Sequence, residues 1–255
     1  MTTIRVAVAG AYGKMGSETV KTVLAAADME LVAGIVRVRD EAKECAGVPY
    51  FTEFRQCLIA TMPDVLVEFT HYEVANEHIA VAIDLGIRPV IGTTGFDEAE
   101  LRDYDCRLRD ARIGGLYAPN FAIGALLMMR LSTLAAPFLP DVEIIEYHHA
   151  GKKDAPSGTA KKTAERLALA RKNAPQRAHI AHPGSADMVA GIPVHSVRLP
   201  GFVAHQEVIF GGHGERLSIR HDSMTRESFM PGVLLGVRGV MKVEGLVDGL
   251  EHFLF

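Results

Sequence analysis

The sequence predicts an α/β protein: an N-terminal parallel sheet with helices on both faces, and an α+β domain with a mixed sheet inserted before the C-terminal helix. Apolar strand runs alternate with helical periods up to residue 118, the pattern of a parallel sheet whose crossovers are helices. Strand runs separated by glycines then fill residues 194–220, which predicts antiparallel or mixed pairing. A helical segment at 225–243 follows, and its return to helical character closes the first domain.

Residues 4–9 (I-R-V-A-V-A) form the first strand and end at Gly10. Met15, Thr19, Val20, Val23, Leu24 and Ala27 recur at helical spacing behind it. Residues 31–36 and 65–69 read as buried strands, the second introduced by Pro63-Asp64. A helix over 74–85 gathers Ile79, Ala82 and Ile83 on one face and stops at Gly86. A strand at 88–91 closes on Gly92-Thr93-Thr94-Gly95, and an acidic helix at 97–109 leads to a strand at 116–118. Beyond Pro119-Asn120 come an apolar helix (121–139), a strand (142–147), a loop rich in histidine, lysine and glycine, and a helix (157–170). Strands are expected at 194–199, 202–210 and 216–220. The domain bounds that follow are 1–121 with 223–255, and 122–222.

The chain has 255 residues, room for two modest domains, and its 48% hydrophobic and 23% charged residues are those of a soluble globular protein. A net charge of −4 gives no general attraction to nucleic acid or an anionic membrane, so neither is expected as a partner and any anion site must be local. Cys45, Cys57 and Cys106 show no C-x-x-C spacing, which argues against a disulfide framework or zinc knuckle and for a reducing, cytoplasmic compartment. The N-terminus enters a strand pattern without a signal sequence, and no apolar run reaches the roughly 18 residues needed to span a bilayer.

Gly10-Ala11-Tyr12-Gly13-Lys14-Met15-Gly16 lies between the first strand and the first helix. Glycines there let the backbone turn tightly and approach a pyrophosphate, whose charge the helix N-terminus attracts. The spacing G-x-x-G-x-x-G is a variant of the dinucleotide fingerprint, so the first domain reads as Rossmann-type; a glycine-rich turn of any α/β protein is the plainer alternative. An acid ending the second strand would hold the ribose of NAD, but the chain has Val36-Arg37-Val38-Arg39-Asp40. Arg37 or Arg39 can neutralise a 2′-phosphate, which favours NADPH and leaves NADH open, as does a reading of both arginines as solvated loop residues.

The segment 146–160, E-Y-H-H-A-G-K-K-D-A-P-S-G-T-A, places His148, His149, Lys152 and Lys153 directly after a strand end. Gly151 allows a turn that brings Lys152 back towards His148, and Ser157-Gly158-Thr159 opens a helix whose N–H groups and hydroxyls can bind carboxylate. Histidine titrates near neutrality and can give a proton; the set suits a small substrate with more than one carboxylate. A solvated basic turn and a metal site are the alternatives. Adjacent histidines on a strand point to opposite faces and no acid or cysteine repeats at ligand spacing, so no metal is expected.

Four segments together resemble the 4-hydroxy-tetrahydrodipicolinate reductase (dihydrodipicolinate reductase) family: V-A-G-A-Y-G-K-M-G (8–16), V-I-G-T-T-G (90–95), A-P-N-F (118–121) and the 146–160 segment. The resemblance spans essentially the whole chain. It implies NAD(P)H-dependent reduction of 4-hydroxy-tetrahydrodipicolinate to tetrahydrodipicolinate in lysine and diaminopimelate biosynthesis. His148 would be the proton donor and Lys152 its catalytic partner, with His149, Lys152, Ser157, Gly158 and Thr159 holding the substrate carboxylates. Gly10, Ala11, Tyr12, Gly13, Lys14 and Met15 would wrap the pyrophosphate. Gly92, Thr93 and Thr94, then Ala118, Pro119, Asn120 and Phe121, would flank the nicotinamide end, with Phe69 and Thr70 in the same cleft. The resemblance further implies that domain 122–222 binds substrate and assembles a homotetramer. The chain departs from the family at Ala150-Gly151, where basic residues are common, which implies a weaker grip on the carboxylates unless Lys153 compensates. A semialdehyde dehydrogenase would need a nucleophilic cysteine in the second domain, and a nucleotide-sensing repressor a basic helix pair; the sequence shows neither.

Overall fold

The computed structural model describes residues 3–37, 47–139, 141–171 and 186–255. In chain order, β1 (Ile4–Ala9), α1 (Gly16–Ala25), β2 (Met29–Ile35), β3 (Tyr50–Phe51), α2 (Phe54–Thr61), β4 (Val65–Glu68), α3 (Tyr72–Asp84), β5 (Arg88–Ile91), α4 (Glu98–Asp110) and β6 (Gly114–Tyr117) come first. Then follow α5 (Ile123–Ala135), β7 (Asp141–His148), α6 (Gly158–Ala170), β8 (Asp187–Val189), β9 (Ile192–Arg198), β10 (Ala204–Gly212) and β11 (Glu215–Ser223). A 3₁₀ turn (Arg226–Phe229), α7 (Met230–Val240), β12 (Gly245–Asp248) and a last 3₁₀ turn (Leu250–Phe253) end the chain. Two compact units result: Met1–Phe121 with Phe229–Phe255, and Ala122–Ser228.

The first unit is a seven-stranded sheet in the order β12-β6-β5-β4-β1-β2-β3, with every pair parallel. Its inner strands are buried on both faces, which is why they read as unbroken apolar runs. Alternation sends successive residues to opposite layers. Ile91 and Tyr117 pack with Ile79, Ile83, Tyr104 and Leu108 of α3 and α4. Val90 and Leu116 face α7, which approaches closely because Gly236 has no Cβ; one there would stand 2.7 Å from Leu116. Glu68 breaks the apolar run of β4 as a fully buried acidic side chain at the strand's C-terminal end.

The second unit is a five-stranded mixed sheet in the order β11-β10-β7-β9-β8, with β7 and β9 parallel and the other pairs antiparallel. On β7, Val142, Ile144 and Glu146 are buried while Glu143, Ile145 and Tyr147 are half-exposed, the period-2 pattern of a sheet covered on one face. Gln206 on that covered face donates to Thr163 Oγ1 of α6 at 2.9 Å.

Elements unforeseen in the sequence are short or marginal. β3 and β8 have two and three residues, β12 pairs only with β6 at the sheet edge, and α2 spans eight residues. Helix α5 stops at Ala135 rather than 139. Helix α7 starts at Met230 rather than 225, because Pro231 has no N–H to give and sits in the first turn, with the 3₁₀ turn before it.

Candidate active site

In the first unit, β1 ends at Gly10 with φ +75°, a left-handed conformation that glycine adopts freely. A Cβ on Gly10 would stand 2.8 Å from the Phe69 carbonyl oxygen. Gly16 opens α1, and a Cβ there would stand 2.1 Å from the Gly10 carbonyl oxygen, so only glycine lets the helix start pack onto the turn. Gly13 N donates to Gly10 O at 2.7 Å and tightens it. Among the described residues no side chain caps α1. A helix start leaves N–H groups without intrahelical acceptors, and residues 13–15 line a cavity of about 830 Å³. This cradle fits a dinucleotide pyrophosphate.

Gly10, Tyr12, Gly13, Lys14, Met15, Arg37, Phe69, Thr70, Gly92, Thr93 and Thr94 all line that cavity. They come from loops at the C-terminal ends of β1, β2, β4 and β5, where parallel sheets bind ligands. Gly92 admits the Phe69 ring, 2.1 Å from where a Cβ would be, and Thr93 Oγ1 donates to Thr70 O at 2.9 Å. Ala11 is buried behind the turn, its N–H donating to Ile35 O at 3.1 Å. Ala118 is buried on Ile91, and Phe121 meets the Phe69 ring edge-on with centroids 5.7 Å apart. With Pro119 and Asn120 these two lie outside the described walls of the cavity. Val36 lines the cavity and Arg37 is exposed at its wall; Val38, Arg39 and Asp40 lie outside the described residues.

Sequence reasoning passed over a buried cluster on the same cavity. Glu68 Oε1 accepts from Thr70 N at 2.7 Å, and Oε2 lies 2.8 Å from His78 Nδ1. The His78 ring stacks on Phe54 at 3.6 Å, and His78 and Phe54 both line the cavity. Phe54 belongs to α2, the helix that the sequence pattern did not reveal.

In the second unit, β7 runs out at His148 and His149 follows it, exposed. The His148 side chain is 14% exposed, and its Nδ1 makes a short hydrogen bond to Glu146 Oε2. Arg198, at the end of β9, donates NH1 to Glu146 Oε2 at 2.8 Å and NH2 to Oε1 at 2.7 Å. Burial alone would raise the Glu146 pKa; the hydrogen bonds from His148 and Arg198 outweigh it and hold the carboxyl at about 2. Ser157 N donates to Glu146 Oε1 at 3.1 Å, while Ser157 Oγ caps α6 by accepting from Ala160 N at 3.2 Å. Gly158 and Thr159 form the first turn of α6, and a Cβ on Gly158 would meet nothing within 4 Å.

Lys152 N donates to His149 O at 3.1 Å, the sharp turn expected at Gly151. Its ammonium, however, is held by both Asp154 oxygens at 2.8 and 2.9 Å rather than turned to His148, because Asp154 is the nearer anion. That hydrogen bond lowers the Asp154 pKa. Lys153 is exposed. One loop thus carries an imidazole on a buried carboxylate, an ammonium and a helix N-terminus, a set able to give a proton and bind carboxylates. Among the described residues no group of three histidines, cysteines or acids could hold a metal ion. Arg198 and Glu146 had no role assigned from sequence. The strand containing Arg198 was visible, but its register beside β7, which sets Arg198 against His148, was not.

Comparison with known proteins agrees over the whole chain. The family model "Dihydrodipicolinate reductase, N-terminus" matches residues 4–121, and "Dihydrodipicolinate reductase, C-terminus" matches 124–254. The 4-hydroxy-tetrahydrodipicolinate reductase of Lysinibacillus sphaericus is 47% identical, covering 98% of this chain and 99% of the relative. That of Lactococcus lactis subsp. cremoris is 50% identical, covering 98% and 97%. A dipicolinate-bound dihydrodipicolinate reductase from Paenisporosarcina sp. TG-14 superposes with a TM-score of 0.88 at 41% identity, covering 98% of this chain and 99% of that one. The amine dehydrogenase of Mycobacterium smegmatis shares only the fold, at 13% identity and TM-score 0.65 over 96% and 94% of the chains. The turn, the cleft and the histidine–lysine loop therefore sit in a chain that belongs to the dihydrodipicolinate reductase family.

Proposed function

We propose that His148 is the proton donor in the reaction of this family, with Lys152 as its partner. The chain is a nicotinamide-dependent oxidoreductase that reduces 4-hydroxy-tetrahydrodipicolinate to tetrahydrodipicolinate in lysine and diaminopimelate biosynthesis. The observation that carries the site assignment is the loop at the end of β7, where His148 and the α6 start share one buried carboxylate through Glu146 Oε2 and Oε1.

The N–H groups of Ser157, Gly158 and Thr159, with His149 and Lys152, bind the substrate carboxylates. A solved relative bound to dipicolinate, itself a dicarboxylate, supports that class of ligand. Lys152 exchanges Asp154 for a substrate carboxylate, and Lys153 adds charge where Ala150-Gly151 supply none. Residues 10–15 hold the pyrophosphate, and Phe69, Thr70, Gly92, Thr93 and Thr94, with residues 118–121, position the nicotinamide end. When bound, the nicotinamide supplies a hydride to the carbon framework left as the 4-hydroxyl departs as water. His148 supplies the balancing proton. Arg37, at the cavity wall with no acid at Val36, supports NADPH as the preferred cofactor, with NADH as the second.

The second unit also carries the proposed homotetramer. Among the described strands β11, nine residues long, pairs only with β10 at the sheet edge, where a strand can add a partner, and Leu217 on it is exposed. Light scattering of the purified chain checks this; a monomer would remove it. Free thiols at Cys57 and Cys106 agree with a cytoplasmic location.

The central test is cofactor oxidation by purified protein with and without 4-hydroxy-tetrahydrodipicolinate. Oxidation should require that substrate, and His148→Gln should lower kcat by about 10²–10⁴-fold. A near-wild-type rate removes His148 from the role. Lys152→Ala should lower kcat and raise the substrate KM, since the residue both binds and assists.

A further inference from the structure

Both carboxylate oxygens of Glu146 accept hydrogen bonds. An ionised carboxylate accepts at about four lone-pair positions and donates nothing. Oε1 takes Arg198 NH2 at 2.7 Å and Ser157 N at 3.1 Å; Oε2 takes Arg198 NH1 at 2.8 Å and His148 Nδ1. The Glu146 side chain is fully buried. Arg198 and Ser157 N can only donate, and the bidentate guanidinium keeps the carboxylate ionised. An ionised carboxylate has nothing to donate, so His148 Nδ1 must donate as well.

We propose that Glu146 and Arg198 are positioning residues that hold His148 as its Nδ1–H tautomer, so that the proton given to substrate leaves from Nε2. The inference rests on the reading of His148 as proton donor and adds which atom acts and what sets it. The imidazolium carries hydrogen on both nitrogens. Loss of the Nε2 proton to the substrate leaves a neutral ring whose remaining hydrogen stays on Nδ1, bound to Glu146, with no rotation of the ring. Arg198 fixes the carboxylate's plane through its fork and ties it to the loop by donating NH2 to the Asp154 carbonyl at 2.7 Å. Ser157 N links the same carboxylate to the start of α6. Proton donor and carboxylate site are thereby held on one anchor. The low pKa of Glu146 means the anchor keeps its charge across the working range.

Nitrogen-15 NMR of histidine-labelled full-length protein reads the tautomer directly, with His148 assigned by its absence in His148→Gln. In the wild type the neutral ring should be protonated on Nδ1. His205 is an internal reference, because Val203 N donates to its Nε2 at 3.3 Å while its Nδ1 faces Asp222 at 2.6 Å. In Glu146→Gln one carboxylate oxygen becomes an NH2 group that cannot accept. At the Oε1 position it would face two obligate donors, Arg198 NH2 and Ser157 N, so it favours the Oε2 position and donates to His148 Nδ1. His148 should then shift towards Nε2–H while His205 does not move. Turnover should fall about 10- to 100-fold with the cofactor KM unchanged. Arg198→Lys keeps the charge and loses the fork, and should lower kcat about tenfold. An Nε2–H ring in the wild type overturns the proposal without any variant, as does an unchanged tautomer in Glu146→Gln. An unchanged kcat in Arg198→Lys removes Arg198 from it. If His148→Gln keeps its rate, the proton-donor reading fails while the tautomer result still stands, so the two are told apart.

Discussion

Two of the described helices begin with glycine, α1 at Gly16 and α6 at Gly158, and the two glycines are there for opposite reasons. At Gly16 the space for a side chain is filled by the protein itself, with the Gly10 carbonyl oxygen 2.1 Å from the Cβ position. At Gly158 that space is open to 4 Å. The first helix start is uncapped by any described side chain, whereas Ser157 caps the second and hangs from Glu146. The proposed cofactor cradle is thus made by backbone approaching backbone, and the proposed carboxylate site by charged side chains that fix a helix end. Bare glycine in a sequence does not distinguish these cases; what surrounds its missing Cβ does.

Breaking the backbone-built site has the larger effect. Gly16→Ala forces α1 off the turn, an overpacking cost of about 3 kcal/mol, read as roughly 100-fold weaker cofactor binding and a lower Tm. Calorimetric titration with NADPH checks it, and unchanged affinity would show that the turn yields. Acid comes next and acts on the other helix. Glu146 titrates at about 2 in the folded protein against an ordinary 4.5. A depressed folded pKa means the stabilisation is complete above about pH 4.5 and is lost as pH falls towards 2, on the order of 3 kcal/mol in all. Tm measured across this window should fall less steeply in Glu146→Gln; parallel curves would deny the link. Gly158→Ala is milder still. It should raise the substrate KM about tenfold by filling the open space, leave the cofactor KM alone, and leave Tm unchanged or slightly higher, because alanine is the better helix former.

The same contrast explains how much was legible in the sequence. The parallel sheet was visible because its strands are apolar on both faces, and the glycine turn because strand, turn and helix are contiguous over residues 4–25. The loop at 146–160 was visible for the same reason: its groups are neighbours in the chain. Arg198 was not, since it reaches Glu146 across 52 positions through a strand register that no local pattern specifies. Glu68 and His78 were hidden by the strength of the surrounding apolar signal, and Phe54 by a helix of only eight residues. Lys152 was expected at His148 because Gly151 permits the turn; the turn forms, but Asp154, two residues on, takes the ammonium.

The smallest effect lies at the far wall of the cofactor cavity, where a side chain acts within the backbone-built site. Val36 is buried at the position where NAD-binding sheets usually place an acid for the ribose hydroxyls, and Arg37 beside it is exposed. An exposed guanidinium beside a phosphate is screened by water, so its contribution should be up to about 1 kcal/mol, or two- to fivefold in KM. Arg37→Ala should therefore raise the NADPH KM by that factor and leave the NADH KM nearly unmoved, because NADH brings no 2′-phosphate. The difference should shrink as salt is added, since the Debye length falls to roughly 3 Å at 1 M. Equal changes for both cofactors would place Arg37 on the shared pyrophosphate, and a wild-type preference for NADH would show that the missing acid at Val36 is supplied by another residue. Either result would make cofactor choice, like the carboxylate site, a matter of side chains that the glycine turn itself does not determine.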